Sequence, residues 1–231
     1  MGSIPIYFQL LPFVEEPAVV ALFDPNLGFN DNFAVTNSYI SITHCPSDEP
    51  VVFFPTGDYK GNYGMNWGQG DWGQNNTRAR NAWGQRSLLG PFQRKLENTG
   101  TQFRQITDGL SHTMLMMEMI QAPSEDVAEK IDRRGRLWKA YAGTNQLSTQ
   151  TGPNSTEPDL IHQCVDRPEL NLPCDTRIGW WNQRMAARSR HPGGVHIGMC
   201  DGSARFETDN IDLKAWQAMS SMAGGETENL Q

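Results

Sequence analysis

The chain is built from short apolar runs separated by long polar segments. Residues 4–23 are apolar, but their prolines oppose a continuous helix, so we expect a short helix or an extended segment packed on the core. Residues 51–54 form a short apolar run that predicts a buried strand. Residues 113–120 are the most apolar run of the chain, and their length predicts a central strand.

The C-terminal part carries the clearest local signals. Residues 195–199 and 204–207 are β-prone and flank Asp201-Gly202, which predicts a hairpin because glycine readily takes a positive φ. A helix is predicted over residues 209–222, where apolar residues recur at helical spacing. Its N-cap candidates are Asp209, Asn210 and Asp212, and Gly224-Gly225 is expected to stop it.

Two polar segments interrupt this pattern. Residues 56–87 are rich in Gly, Asn, Gln and Trp, which fits either a functional loop or an irregular β-region held by its own aromatic packing. Residues 143–177 are irregular and contain Cys164 and Cys174, which are close enough in sequence for a disulfide in an oxidising compartment. Cys45 and Cys200 lie among apolar residues and are expected to be buried thiols, with a bridge between them left open.

These elements mix helices and strands, as in an α+β protein, and the length fits one large domain or two small ones; we assign one globular domain over residues 1–231. We divide it into five segments: a first part with the first strand (4–55), a Trp/Gly-rich insert (56–102), a central strand region (103–142), a disulfide-bearing insert (143–178), and a C-terminal hairpin and helix (179–225).

Charge narrows the classes of partner. The chain has 19 Lys and Arg against 26 Asp and Glu, a net charge of −7, so we expect no nucleic acid partner. No apolar run approaches the roughly 18–20 residues of a membrane helix. No signal peptide and no nucleotide-binding glycine motif is recognised, and we expect no cofactor other than calcium.

Calcium and sugar are the two candidate ligands that composition indicates. The loop of residues 24–32 contains Asp24, Asn30 and Asp31, oxygen donors of the kind that calcium prefers, although Asx turns explain the same residues without an ion. Trp67, Trp72 and Trp83 could stack on sugar faces if exposed, or could pack as core residues. A polysaccharide is therefore a candidate partner.

Histidines and carboxylates offer a candidate for metal chemistry. The chain contains five histidines, His44, His112, His162, His191 and His196, and a group of carboxylates that includes Glu118 and Asp201. A metal-dependent hydrolase using His191 and Asp201 is one hypothesis. We favour structural capping by His191, because a hairpin between them does not by itself bring the two together. No Gly-x-Ser-x-Gly nucleophile motif is present.

Four strings together carry a family resemblance. They are Cys45-Pro46-Ser47-Asp48, ITDGLSHTMLMMEM (106–119), AARSRHPGGVHIGMCDGSARF (186–206), and the closing helix with Gly224-Gly225. The chain resembles the large bacterial family of pseudopilin-like proteins of unknown function, some labelled G-like transporters. The family signature of His, nine residues and Asp-Gly matches His191, Asp201 and Gly202. His112 departs from the Asn usual in the family.

The resemblance implies a pilin-like architecture, in which an N-terminal helix packs on an antiparallel sheet with large irregular inserts. It implies a structural subunit of an envelope-associated pseudopilus, linked to secretion or uptake, and no established enzymatic activity. The family's N-terminal membrane helix, which would precede residue 4, is expected to supply the contacts with other subunits, the only membrane contact, and the anchoring on the periplasmic or extracellular face.

Overall fold

The computed structural model describes residues 4–54, 56–72, 89–92, 100–125, 127, 130–139 and 141–225. It confirms the mixed α+β class. The helices in this part of the chain are short: α1 (Ile6–Leu10), α2 (Pro17–Val20), α3 (Phe33–Thr36) and α4 (Leu213–Ala218). Short 3-10 turns lie at Leu11–Phe13, Phe29–Asp31, Ser41–Thr43, Phe103–Gln105, Pro168–Leu170 and Trp180–Asn182. None of the helices described is long and apolar enough to cross a membrane.

Nine strands are distributed over three sheets in the described residues. They are β1 (Val52–Phe53), β2 (Asp58–Tyr59), β3 (Tyr63–Gly68), β4 (Met114–Glu118), β5 (Gln146–Ser148), β6 (Asp159–Leu160), β7 (Cys174–Asp175), β8 (Gly194–Met199) and β9 (Ala204–Thr208). The central sheet has the order β5-β3-β4-β8-β9, while β1-β2 and β6-β7 form two small ribbons.

The central sheet is antiparallel except at one edge. β3 pairs with β4, β4 with β8, and β8 with β9 in antiparallel register, whereas β5 joins β3 in parallel. The parallel partner was not predicted, because β5 comes from the polar 143–177 segment, whose composition gives no strand signal. The main apolar cluster joins the N-terminal helices to β4, β8 and α4.

The predicted hairpin turn and the predicted helix start were confirmed, because single residues determine the backbone conformation at both places. The hairpin β8-β9 turns at Asp201-Gly202, and Gly202 has a φ of 87°. The C-terminal helix begins after Asp212, whose side chain accepts hydrogen bonds from the backbone N–H groups of Lys214 and Ala215. The helix is shorter than predicted. The run at 51–54 contributes only the two-residue strand β1, which has one exposed and one buried residue.

The cysteines divide into one pair and two thiols. Cys164 and Cys174 form the expected disulfide. Cys45 and Cys200 are both free, so the bridge between them, which the sequence left open, is absent. Cys45 is buried, as expected, whereas Cys200, which follows the end of β8, is only half-buried.

A buried ion network holds the irregular insert to the sheet. Arg134 pairs with Asp132 at 2.7 Å and with Asp159 at 3.0 Å, and Asp159 also pairs with Arg188 at 3.1 Å. All four side chains are almost completely buried. Because an unpaired buried charge is very unfavourable, this network fixes the position of the segment that leads into β8.

Candidate functional site

One cavity opens between the N-terminal segment and a face of the central sheet. Its volume is about 590 Å³ and its walls are mainly apolar. Side chains of α1 and the following turn line one side, and residues of β4 and β8 line the other. The lining also includes four residues of the Cys, Glu and His types that bind metals: Cys45, Glu118, His191 and His196.

The sheet places two of these residues on the same face. Alternate residues of a strand point to the same side of the sheet. Glu118 therefore lies on the same side as Met116 in β4, and His196 lies on the same side as Gly198 in β8. The two strands are neighbours, and the Glu118 carboxylate accepts a hydrogen bond from the backbone N–H of His196 at 2.6 Å. Glu118 is thus positioned by backbone geometry rather than by side-chain packing alone.

His191 is brought to the same place by the turn that precedes β8. Gly193, in the Pro-Gly-Gly sequence, has a φ of 83°, and this turn directs the chain into the strand. The backbone N–H of His191 donates to the Ser189 hydroxyl oxygen at 3.1 Å. The same hydroxyl donates to the Gly194 carbonyl oxygen at 2.7 Å, which closes the turn.

Asp48 fixes the loop that carries Cys45. Its Oδ2 accepts from the Asn62 side chain at 2.7 Å and from the backbone N–H of Gln121 at 3.0 Å. Its Oδ1 pairs with Arg190 Nε at 3.1 Å. The backbone N–H of Cys45 donates to Asn62 Oδ1 at 3.0 Å. The Cys-Pro-Ser-Asp string and the Arg-His-Pro-Gly-Gly string are therefore tied together through one carboxylate.

The side chains of Cys45, Glu118 and His191 converge on one point. His191 Nε2 lies 3.4 Å from Cys45 Sγ and 3.1 Å from Glu118 Oε1. One ligand atom from each of the three residues lies within 4.8 Å of the other two. His196 stands beside them, with Nδ1 3.4 Å from Glu118 Oε2 and its ring packed edge-on against His191.

The surroundings of Cys45 favour the protonated thiol over the thiolate. Burial raises the pKa of the Cys45 thiol, and the neighbouring Glu118 charge raises it further. Glu118 is itself buried, and its ion-pair partners in the described residues are the two histidines. The thiol is therefore held protonated unless a cation enters the group.

This geometry differs from that of a nucleophilic triad. In a triad, the base uses one ring nitrogen toward the nucleophile and the other toward the carboxylate. Here Cys45 and Glu118 both approach Nε2 of His191. A nitrogen that donates its proton to Glu118 has no lone pair left to accept a proton from Cys45, so the group is not arranged for general-base activation of the thiol.

The structure separates His191 from Asp201, which the hydrolase hypothesis paired. The six residues of β8 lie between them, so they stand at opposite ends of a strand about 20 Å long. Asp201 Oδ1 accepts from the Ser203 backbone N–H at 2.9 Å and from its hydroxyl at 2.7 Å, and these hydrogen bonds lower the pKa of Asp201. The signature Asp201-Gly202 thus forms a turn, and a joint metal site with His191 is ruled out by position. The His191 side chain contacts Cys45 and Glu118 through Nε2, and the structural role expected of His191 stays a prediction.

The tryptophans of the 56–87 segment do not form an exposed platform where the structure describes them. The rings of Trp67 and Trp72 stack on each other, with centroids 4.8 Å apart, and each is only 6% exposed. Trp83 lies outside the described residues. Trp67 and Trp72 therefore pack against each other, which is one of the two alternatives that the sequence left open for these residues.

The candidate calcium loop is closed by its own hydrogen bonds. Asn32 Oδ1 accepts from the backbone N–H of Asp24 at 2.7 Å, and Asp24 Oδ1 accepts from the backbone N–H of Asn26 at 2.8 Å. Asn30 Oδ1 accepts from the ammonium group of Lys139. Asp31 lies in the 3-10 turn of this loop. Calcium binding by Asp24, Asn30 and Asp31 stays a prediction, and the hydrogen bond between Asp24 and Asn26 is that of an Asx turn.

From the sequence, Cys45 and Glu118 could be singled out, but their proximity to His191 was not predicted. Cys45 was interpreted as a buried thiol and Glu118 as one carboxylate among several. The available signal was that both residues lie within strings of the family resemblance, as His191 does.

The comparisons with known proteins identify the family. A family model, SBP_bac_10, described as a protein of unknown function (DUF1559), matches residues 3–214. No curated protein and no solved structure matches the chain. Since the match covers most of the sequence, this chain belongs to the DUF1559 family of proteins of unknown function.

Proposed function

We propose that the chain is the globular part of a pilin-like subunit in an envelope-associated filament linked to secretion or uptake, and that its role is structural rather than enzymatic. The observation that carries the proposal is the apolar groove between the N-terminal segment and the central sheet.

The N-terminal segment packs on the sheet in the manner that a pilin-like architecture requires. The hydroxyl group of Tyr7, in α1, donates to the backbone carbonyl of Tyr63, in β3. Leu11, one residue after α1, is almost fully buried in the main apolar cluster. A helix preceding residue 4 would continue from a segment that is already seated against the sheet.

Large apolar side chains remain exposed around the groove. Ile42 is 58% exposed and Leu10 is 37% exposed. Leu10 and Ile42 line the groove itself. Clusters of exposed apolar side chains next to a groove mark contact surfaces. In the proposed filament, this surface contacts a neighbouring subunit of the same pilin-like class.

The test uses the full-length gene product in its native host. Cell fractionation followed by shearing should recover the protein in the envelope and in the sheared filament fraction, after cleavage of a prepilin leader. Protein that stays uncleaved in the cytoplasm would overturn the proposal.

A surface variant refines the same test. Leu10→Ser together with Ile42→Ser should reduce recovery in the sheared fraction while the melting temperature stays close to the wild-type value. Phe103→Ser is the matched control, because Phe103 is 72% exposed and does not line the groove. Equal losses in both variants would show that the groove has no special part in assembly.

A further inference from the structure

We propose that Cys45, Glu118 and His191 form a zinc-binding site whose fourth coordination position opens into the apolar cavity. The site lies in the same cavity as the proposed subunit contact, but zinc binding there is inferred from the geometry of its own ligands, and nothing in the family description assigns it.

Two of the three distances between the ligand atoms fit a tetrahedral zinc site, and the third lies within 4.8 Å. Zinc binds thiolate sulfur at about 2.3 Å, imidazole nitrogen at about 2.0–2.1 Å and carboxylate oxygen at about 2.0–2.2 Å, so tetrahedral angles place S and N roughly 3.5 Å apart and N and O roughly 3.3 Å apart. The structure has 3.4 Å between Cys45 Sγ and His191 Nε2, and 3.1 Å between His191 Nε2 and Glu118 Oε1. Small movements of the three side chains would complete the site.

Three side chains of the types that bind zinc also present their ligand atoms to one point. Without a metal, the Cys45 thiol and the His191 Nε2–H group can both donate hydrogen bonds to the Glu118 carboxylate. When zinc binds, the thiol proton is released and the imidazole proton moves to Nδ1, so that sulfur, nitrogen and oxygen lone pairs face the same centre. The hydrogen-bonded group is thus already arranged in the way that a cation requires.

Charge balance also favours a divalent cation at this position. A thiolate and a carboxylate together neutralise a dication, so the zinc-bound group carries no net charge when the imidazole is neutral. Neutrality matters because Cys45 and Glu118 are buried beside apolar cavity walls, where an uncompensated charge is very unfavourable. The mixture of sulfur, nitrogen and oxygen donors favours zinc over calcium or magnesium, which prefer oxygen alone.

The surroundings hold the ligands in place. Glu118 Oε2 is bound by the backbone N–H of His196, which leaves Oε1 for the metal. Asp48 ties the Cys45 loop to Arg190, the residue before His191. These second contacts are the kind that orient metal ligands. With three protein ligands, the fourth position faces the cavity and would take water or an anionic group of a ligand bound there.

The test is zinc and cobalt titration of the purified, chelator-treated protein. We expect one zinc ion per chain by calorimetry, and with Co²⁺ an absorption band from thiolate-to-metal charge transfer. Cys45→Ser should abolish the band, and Cys45→Ser, Glu118→Gln and His191→Ala should each weaken zinc binding by more than about 100-fold. Circular dichroism and melting of the metal-free variants establish that each remains folded.

Two matched controls make the result specific. Cys200→Ser removes the other free thiol, and His112→Ala removes an exposed histidine away from the group. Both should keep wild-type zinc affinity and the cobalt band. Absence of the band in the wild type, or zinc affinity that is unchanged in folded Cys45→Ser, would overturn the proposal. Should any ligand variant fail to fold, chemical protection of the Cys45 thiol by zinc in the wild type, with Cys200→Ser removing the competing thiol, decides the same question.

Discussion

Arg190 and Asp48 form an ion pair at 3.1 Å between two loops that lie 142 residues apart in sequence. The same Asp48 carboxylate accepts hydrogen bonds from Asn62 and from the backbone of Gln121. One side chain therefore joins the loop of Cys45, the central sheet and the turn of His191.

Removal of this carboxylate should loosen both loops. Asp48→Ala is expected to lower the free energy of unfolding by about 2 kcal/mol, because the lost hydrogen bonds leave donors without partners. Chemical denaturation would measure the change. Glu49→Ala is the matched control, since Glu49 is the next residue of the same loop and is exposed. A larger loss in the control than in Asp48→Ala would contradict the role given to Asp48.

The buried ion network makes a second prediction. Asp159→Asn should destabilise the protein by about 3–5 kcal/mol, because Arg188 and Arg134 then lose a charged partner in the interior. The matched control is Asp175→Asn, whose partner Arg177 is exposed and which should melt like the wild type. Unfolding by urea distinguishes the two, and equal stability of both variants would refute the importance of the network.

Lys60 gives a prediction about pH. It is fully buried and donates to the carbonyl oxygens of Ala122 and Asp132, and burial lowers its pKa from 10.5 to about 7. Between these values the unfolded chain binds more protons than the folded one, so the free energy of unfolding should rise with pH by about 1 kcal/mol per unit. Melting from pH 7 to 8.5 measures the slope.

The matched variants isolate the contribution of Lys60. Lys60→Met should flatten the slope, whatever its effect on absolute stability, because the titrating group is gone. Lys130→Met removes an exposed lysine and should keep the wild-type slope of unfolding free energy against pH. An unchanged slope in Lys60→Met would show that another group produces the pH dependence.

The Cys164–Cys174 disulfide should stabilise the fold, because it closes a loop and restricts the unfolded chain. A Cys164→Ser and Cys174→Ser double variant is expected to lose about 3 kcal/mol, from the entropy of a loop with a sequence separation of 10. Melting without reductant measures this. Wild-type protein treated with reductant should lose as much, while Cys200→Ser without reductant should lose nothing. Equal melting of the double variant and the wild type would contradict the prediction.

What could be predicted from the sequence was local. Asp201-Gly202 specifies its turn through the backbone freedom of glycine, and Asp212 caps its helix through hydrogen bonds to residues two and three positions away. The site could not be predicted in the same way. Glu118 and His191 are 73 residues apart, and they meet only because β4 pairs with β8. Pairing of this kind depends on the whole sheet, which no single segment encodes.

The parallel edge strand was missed for a related reason. Leu147 in β5 is buried because β3 lies beside it, although the flanking residues are polar. Asn145 and Gln146 are buried as well, and the Asn145 side chain donates to the carbonyl oxygens of Arg136 and Leu137. A polar strand stabilised by such hydrogen bonds has no hydrophobic period to indicate it.

The most direct test of the central claim is anomalous diffraction at the zinc absorption edge from crystals grown with zinc. The account predicts a peak within about 2.0–2.3 Å of Cys45 Sγ, His191 Nε2 and Glu118 Oε1. Absence of a peak among these three atoms, or peaks at surface histidines alone, would contradict it.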